Sequence, residues 1–256
     1  MPILAIAPKS DEEPSPLNAR SFALLLLVPF GLAACGSHAP FVTTTGTLPS
    51  NAVMTVRVLR GQVSAYKPAV GDPPDRFTVS ATALGPQLPA APTIRRQGNG
   101  LLVDARAPLR NLLVRVPQNV NLNVDSQSGD VDATEISGNV DVHAGQGNVK
   151  VMIAGYAQAS TQRGQISITM GSTSWPGVLT YRNQNGDVEV WVTETAKFHI
   201  HMHTDDGMLF TDFPLRGSAK GKGETIDGLV NGGANRGIDI EVKRGDIRLL
   251  SLHPEA

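Results

Sequence analysis

Cysteine, aromatic residues and net charge are all scarce in this sequence. Cys35 is the single cysteine, so no disulfide can form within the chain. Aromatic residues make up 5% of the 256 residues, and the formal net charge at pH 7 is -1. A neutral chain without a run of Lys and Arg lacks the positive surface that binds nucleic acid or anionic lipid. We therefore expect no nucleic-acid partner.

The apolar run at 22–32, FALLLLVPFGL, is shorter than the roughly 20 residues that a membrane-spanning helix requires, and has the length typical of a secretory signal peptide. It leads into LAACG at 32–36, which resembles the bacterial lipobox. The sequence therefore predicts a lipoprotein signal peptide at 1–34, lipidation (palmitate) of Cys35 and attachment to a membrane through that lipid. By resemblance to proteobacterial lipoproteins, Gly36 favours the outer membrane of a bacterial cell envelope, facing the periplasm or the cell surface.

Glycine and proline are abundant, with 26 and 18 residues, and such dense punctuation favours many short strands over long helices. The segment 35–51 is rich in Thr, Pro and Gly, which predicts a flexible tether. We expect an irregular N-terminal β region at 52–110, a β-repeat domain at 111–250 and a C-terminal tail at 251–256.

A glycine, a polar residue and a valine recur every nine residues, beginning at Gly129, Gly138 and Gly147. Each unit is typical of a turn followed by a short strand whose alternate residues share one face. Similar units begin at Gly164, Gly186 and further along the chain, where the spacing widens to about 21 residues. The spacing predicts one strand per turn in the first units and two strands per coil in the later ones.

Units this short cannot bury their own apolar face, so neighbouring units must stack around a shared core. The alternation predicts that the following side chains point inward: Val131, Val140, Val142, Val149, Val151, Ile166, Ile168, Val188, Val190, Ile238, Ile240, Ile247 and Leu249. We therefore predict an all-β fold, a single-stranded β-helix or solenoid of short Gly-x-Val strands. The alternative is a β-sandwich, which also has short strands at regular spacing.

Three segments carry a family resemblance: VRVPQNVNLNVDSQSGDV at 114–131, the units SGNVDV and QGNVKV that follow it, and QNGDVEVWVTETAKFHIHMHTDDGMLF at 184–210. Together they resemble the bacterial putative-adhesin family of β-strand-repeat domains of unknown function. The resemblance implies a β-helix on a cell-envelope protein and supplies no catalytic motif. The sequence departs from the family pattern at 221–237, where a Gly-rich segment predicts that a loop replaces one coil.

The candidate metal site is the segment HIHMH at 199–203. On a strand, its histidines share one face, and Asp205 follows at the turn. Two alternate histidines and a carboxylate are ligands that zinc or copper accepts, so His199, His201 and Asp205 form the candidate site. The alternative is that the apolar face of the strand points inward and the histidines only occupy its solvent side.

Other chemistry has weaker support. A hydrolase is the third possibility, although no Gly-x-Ser-x-Gly elbow is present in the sequence. The turn residues Asp130, Asp187, Asp206 and Asp246 suggest calcium, but Asn or Gln replaces them in sister turns, which fits turn-forming hydrogen bonds better. The aromatic residues Trp175, Tyr181 and Trp191 would stack on a sugar or peptide if they pointed outward.

These observations predict a lipid-anchored protein of the cell envelope that acts as an adhesin-like structural or interaction module, without catalysis and without a cofactor. Its expected partners are the membrane, through the N-terminal lipid, and an envelope protein or polysaccharide. The alternative function is an envelope metal-binding protein that uses the histidine strand.

Overall fold

In the described residues of the computed structural model, all regular secondary structure is β-strand. The structure describes residues 39–220, 223–233 and 235–253. Within these ranges no helix is long and apolar enough to cross a membrane. The described strands are β1 (Phe41–Thr47), β2 (Val53–Val58), β3 (Gln62–Tyr66), β4 (Arg76–Thr82), β5 (Thr93–Gln97), β6 (Gly100–Ala105), β7 (Asn111–Arg115), β8 (Asn121–Ser128), β9 (Val131–Ile136), β10 (Val140–Gln146), β11 (Val149–Ile153), β12 (Ala157–Arg163), β13 (Ile166–Met170), β14 (Gly177–Asn183), β15 (Val188–Thr193), β16 (Phe198–Thr204), β17 (Leu209–Thr211), β18 (Gly217–Lys220), β19 (Gly223–Val230), β20 (Arg236–Val242) and β21 (Ile247–Leu252).

The strands form two sheets. The order in sheet A is β1-β4-β7-β3-β9-β11-β13-β15-β21-β17, and the order in sheet B is β18-β19-β16-β20-β14-β12-β10-β8-β2-β6-β5. Along the chain from β8 to β15, successive strands alternate between the two sheets, and neighbours within each sheet are parallel. Each coil therefore contributes one strand to each sheet. The predicted solenoid is confirmed, and the β-sandwich alternative, which expects antiparallel hairpins, is not.

The predicted coil length is wrong for the first units. Val131 begins β9 in sheet A, whereas Val140 begins β10 in sheet B. A nine-residue unit is thus half a coil, and Val149 is the residue that stacks on Val131. Both halves repeat the same motif because both corners of the coil need a tight turn before a valine-rich strand. Two strands per coil is the rule throughout.

The order of the coils in space departs from the order along the chain at both ends. The coil formed by β2 and β3 lies between β6/β7 and β8/β9. At the other end, β20 and β21 lie between β14/β15 and β16/β17. The predicted loop at 221–237 is wrong for the described residues, since β19 pairs antiparallel with β16 and β20 begins at Arg236.

The N-terminal segments are more regular than the sequence indicates. The strands β2, β3 and β6 within 52–110, together with β7 that follows them, form coils of the same solenoid. The segment 35–51, predicted as a tether, contains β1, which pairs antiparallel with β4. Its threonines favour a strand, and the Thr43 hydroxyl makes a 2.8 Å hydrogen bond with the Ser80 hydroxyl across this pair.

The core lies between the two sheets, and every side chain predicted to point inward is buried there. Tyr181 is the largest fully buried side chain, and its hydroxyl donates a 2.6 Å hydrogen bond to the carbonyl oxygen of Ala157. Desolvation by burial raises the pKa of Tyr181 far above its usual value, so it is neutral. Trp175, Phe198 and Phe213 form an aromatic cluster at the C-terminal end, with ring centroids 5.5 and 6.2 Å apart.

One corner of the solenoid is a column of stacked glycines, each of which precedes a strand of sheet A. An added Cβ at any of them would collide with a backbone carbonyl oxygen of the adjacent coil: Gly61, Gly129, Gly147, Gly164, Gly186, Gly245 and Gly207. Gly147 also has φ of 131°, a conformation that side chains disfavour. We call this column the glycine corner.

A polar groove across sheet B as the candidate functional site

The outer face of sheet B carries a groove of about 820 Å³ that crosses β8, β10, β12, β14, β20 and β16. These six strands are adjacent and parallel, so equivalent positions stand in rows across the sheet. The groove exists because each strand alternates a buried apolar residue with an outward polar one. We call it the sheet B groove.

The first row of the groove runs across all six strands. It contains Asp125, His143, Ser160, Arg182, Glu241 and His203, which are register partners from one strand to the next. The second row lies two residues further along each strand. It contains Gln127, Gly145, Gln162, Gln184, Lys243 and Asp205.

Cross-strand contacts hold the first row in place. His143 Nδ1 lies 2.8 Å from the Ser160 hydroxyl oxygen. Arg182 donates a 2.8 Å hydrogen bond to Asp239 and forms a second ion pair with Glu241. A guanidinium fixed between two carboxylates keeps its remaining donors in a defined direction, which is the preorganisation that a binding site needs.

The second row is less constrained. Gln127, Gln162 and Gln184 are exposed. Their side-chain amides make no hydrogen bond to any described residue. Each free amide offers both donors and an acceptor to a ligand.

The fixed charges of the groove nearly cancel. Its lining contains the carboxylates of Asp125, Asp205 and Glu241 and the cations of Arg182 and Lys243. The groove therefore combines many hydrogen-bonding groups with little net charge. It is not suited to a polyanion such as nucleic acid, because its three carboxylates would face the phosphates.

The histidine strand lies at one end of this face. In β16, His199, His201 and His203 point outward while Phe198, Ile200 and Met202 are buried, as the alternation predicts. His201 Nδ1 lies 2.6 Å from Asp227 Oδ1. Strand β19 supplies Asp227, a partner that no local motif predicts.

The structure places Asp205 beside His203, which was not in the predicted ligand set. His203 Nε2 is 3.0 Å from Asp205 Oδ1, and its Nδ1 is 2.9 Å from the Thr225 hydroxyl. Among the described residues, no group of three His, Cys, Asp or Glu side chains is arranged to hold a metal ion. Metal binding by His199, His201 and Asp205 stays a prediction.

The turn carboxylates form hydrogen bonds along the glycine corner. Asp130 Oδ1 accepts a 2.7 Å hydrogen bond from the backbone N–H of Asn148 on the next coil, and Asp187 Oδ1 accepts one of 2.9 Å from the N–H of Asp246. Asp246 in turn accepts from Met208 at 3.0 Å. These contacts join successive coils, which is the turn role that the sequence favoured over calcium.

Two of the three candidate stacking aromatics are not available to a ligand, because Trp175 and Tyr181 are buried. Trp191 is half-buried on the outer face of sheet A, where its indole N–H donates to Glu189 at 2.7 Å. Its register partners there are Thr169 and Leu250, and Met152 follows beyond Thr169. We call Met152, Thr169, Trp191 and Leu250 the sheet A row.

The sheet B groove was not predicted from the sequence. Its rows join residues from 125 to 243, and β20 enters the sheet between β14 and β16, so no local motif marks them. The usable signal was the alternation itself, which marks His143, Ser160 and Arg182 as outward without revealing their neighbours. Cys35, the predicted lipidation site, lies outside the described residues.

Comparison with known proteins gives one family match. The family model described as Toastrack DUF4097 matches residues 117–250. A search of curated proteins finds no match.

The solved structures that a comparison finds share little sequence with this chain. A putative cell adhesion protein from Clostridium sporogenes has 8% identity and a TM-score of 0.46, and the alignment covers 82% of this chain and 99% of that one. A putative adhesin from Bacteroides fragilis has 8% identity and a TM-score of 0.29, with 82% of this chain and 96% of that chain covered.

Proposed function

This chain belongs to the Toastrack DUF4097 family, and we propose that it is a non-catalytic, adhesin-like interaction module held at the bacterial cell envelope by a lipid on Cys35. The observation that carries the proposal is the sheet B groove. A rigid solenoid places two rows of polar side chains across six strands, and such a surface binds a ligand without moving.

The groove does contain one arrangement that resembles catalytic machinery. Ser160 contacts His143 Nδ1 at 2.8 Å, and His143 Nε2 lies 3.6 Å from Asp141 Oδ1. The 3.6 Å separation is too long for the hydrogen bond that orients a catalytic histidine. The side chain of His143 is also 62% exposed, so water competes for both ring nitrogens.

An oxyanion site is also missing around Ser160 in the described structure. The residues beside Ser160 lie in the parallel ladders that β12 forms with β10 and β14. Their backbone N–H groups are used within the sheet, so they cannot stabilise a developing oxyanion. Binding is therefore the function that the geometry supports best.

The anchoring half of the proposal is tested by Cys35→Ser in the full chain. We expect the wild-type protein in the membrane fraction and the variant in the soluble fraction, because the acyl chains supply the membrane affinity. Membrane association that is unchanged in the variant would contradict the lipid anchor.

The binding half is tested by co-sedimentation of the soluble Cys35→Ser protein with isolated cell envelopes of the host. We expect saturable binding that Gln162→Leu weakens severalfold, since leucine has a similar size but removes the amide that hydrogen-bonds the ligand. Gln165→Leu is the matched control, because Gln165 is also exposed but lies outside the groove lining. Equal binding by the two variants would refute the groove as the interaction surface.

A further inference from the structure

We propose that the sheet B groove binds an extended, uncharged, 1,4-linked polysaccharide chain that lies along the solenoid axis, across the strands. The inference rests on the proposed function and adds the class of ligand and its direction. The length, spacing, chemistry and charge of the groove support it.

The length and direction of the groove suit a linear polymer. Its lining comes from six adjacent strands, β8, β10, β12, β14, β20 and β16. Neighbouring strands lie about 4.8 Å apart, so the first and last of the six are separated by about 24 Å. A compact ligand would occupy only part of this length, whereas a chain of five or so sugar units would fill it, at roughly one unit per strand.

The spacing of the rows explains why a repeating ligand is favoured. The rise of one extended, 1,4-linked hexose unit is close to the distance between neighbouring strands. Successive units would therefore meet equivalent positions, such as Ser160 and Gln162 on β12 and Arg182 and Gln184 on β14. Contacts that repeat along the chain add up, because after the first unit is bound the next ones are already close to their sites.

The side chains have the chemistry that sugar hydroxyls require. Each hydroxyl both donates and accepts, and the first row contains both acceptors and donors. Asp125 and Glu241 accept, Arg182 donates, and Ser160 does both. The amides of Gln162 and Gln184 are exposed and free to bind. Arg182 is already fixed by Asp239 and Glu241, which lowers the entropy cost of binding.

The charge balance selects an uncharged polymer. Two fixed cations, Arg182 and Lys243, stand among three carboxylates, Asp125, Asp205 and Glu241. A polyanion would bring its charges next to those carboxylates and would gain no uniformly positive track. A polycation would meet the same difficulty at Arg182 and Lys243.

An extended peptide fits this site less well. Peptides that bind to sheets usually add a strand at an edge, where backbone N–H and C=O groups are free. The groove lies on the face of the sheet, and its six strands each have a neighbour on both sides. A peptide would lack these backbone hydrogen bonds here and would find more apolar contact on the sheet A row.

The test uses the soluble Cys35→Ser full chain and isolated cell envelopes in three forms: untreated, digested with protease, and oxidised with periodate, which cleaves the vicinal diols of 1,4-linked sugars. We expect protease digestion to leave binding within twofold of the untreated value and periodate to lower it at least tenfold. Gln162→Leu should lower the periodate-sensitive binding severalfold, and Gln165→Leu should retain it.

The outcomes separate the ligand class from the proposed function. Binding that survives periodate and is lost after protease would overturn the polysaccharide and leave the interaction module intact, with a protein partner. Binding to none of the three envelopes would refute the proposed function itself. Competition adds the length test: neutral fragments of five or more units should compete at least tenfold better than dimers, and equal competition would refute a ligand that spans the strands.

Discussion

The two outer faces of this solenoid come from the same coils, yet they differ in chemistry. The sheet B face carries charged and amide side chains, fixed across strands by contacts such as that of Arg182 with Asp239. The sheet A face also has a charged row, but beside it lies the partly apolar sheet A row, in which Met152 is 44% exposed. The charged row consists of Asp132, Lys150, Ser167, Glu189 and Arg248. Because folding constrains the inward residues and the corners, this difference is not required by the fold. It is one reason why we propose sheet B as the ligand-binding face.

The largest effect on stability is expected at the glycine corner, on which both faces depend. Gly147→Val at the glycine corner should lower the free energy of unfolding by at least about 3 kcal/mol, because it combines strained φ with a collision against the adjacent coil. Urea denaturation, followed by tryptophan fluorescence, measures this. Gly85→Ala is the control, since an added Cβ there meets nothing within 4 Å. Equal stability of the two variants would contradict the structural role of the corner.

The next largest effect lies in the core beneath sheet B. Tyr181→Phe removes the hydroxyl that donates to Ala157 and leaves that carbonyl oxygen without its side-chain partner. We expect a loss of about 1–3 kcal/mol in the free energy of unfolding. Tyr66→Phe is the control, because Tyr66 is half-buried and lies on the outer face of sheet A. It should change the free energy of unfolding by less than about 0.5 kcal/mol. A larger loss of stability at Tyr66 than at Tyr181 would contradict the role of the buried Tyr181 hydroxyl in the core.

Two arginines of similar exposure, one on each face, test which face binds the ligand. The side chain of Arg182 is 41% exposed in the sheet B groove, and that of Arg248 is 39% exposed on sheet A, over the ring of Phe210. Each change to Ala should lower stability by no more than about 1 kcal/mol, because partly exposed ion pairs contribute little. Envelope binding should fall at least tenfold with Arg182→Ala only. Loss of binding with Arg248→Ala instead would assign the ligand to sheet A.

The smallest effect is expected from metal. Micromolar zinc or copper should shift the Tm by less than about 1 °C, since Asp205 lies beside His203 and His201 is already bound to Asp227. Thermal unfolding of the purified full chain with and without each ion measures this. A clear rise in Tm that His199→Ala or His201→Ala abolishes would establish the metal site predicted from the sequence.

The strand alternation was predictable because it depends on local pattern alone. Val131, Ile168 and Leu249 are buried as expected, since every coil must cover one face of each strand. The coil length was not predictable, because both corners use the same Gly-polar-Val unit. Gly129 and Gly138 stand at opposite corners. Nothing in the nine-residue period shows whether one unit forms a full coil of the solenoid or half of one.

The order of the coils was also hidden from the sequence. Ile238 pairs with Leu179 on one side and Ile200 on the other, and β14 could bury the same apolar face by pairing directly with β16. Hydrophobic pattern does not choose between these arrangements. The candidate site depends on this choice, because the insertion of β20 brings Glu241 between Arg182 and His203. Local motifs therefore predicted a site at the histidine strand and did not predict the groove.

The most direct test of the central claim is hydroxyl-radical footprinting of the Cys35→Ser full chain, alone and bound to cell envelopes. If the sheet B groove is the binding surface, the oxidation rates of His143 and His203 should fall severalfold on binding. Those of Met152 and Trp191 on sheet A should remain unchanged. Protection of Met152 and Trp191 with unchanged oxidation of the two histidines would contradict the account.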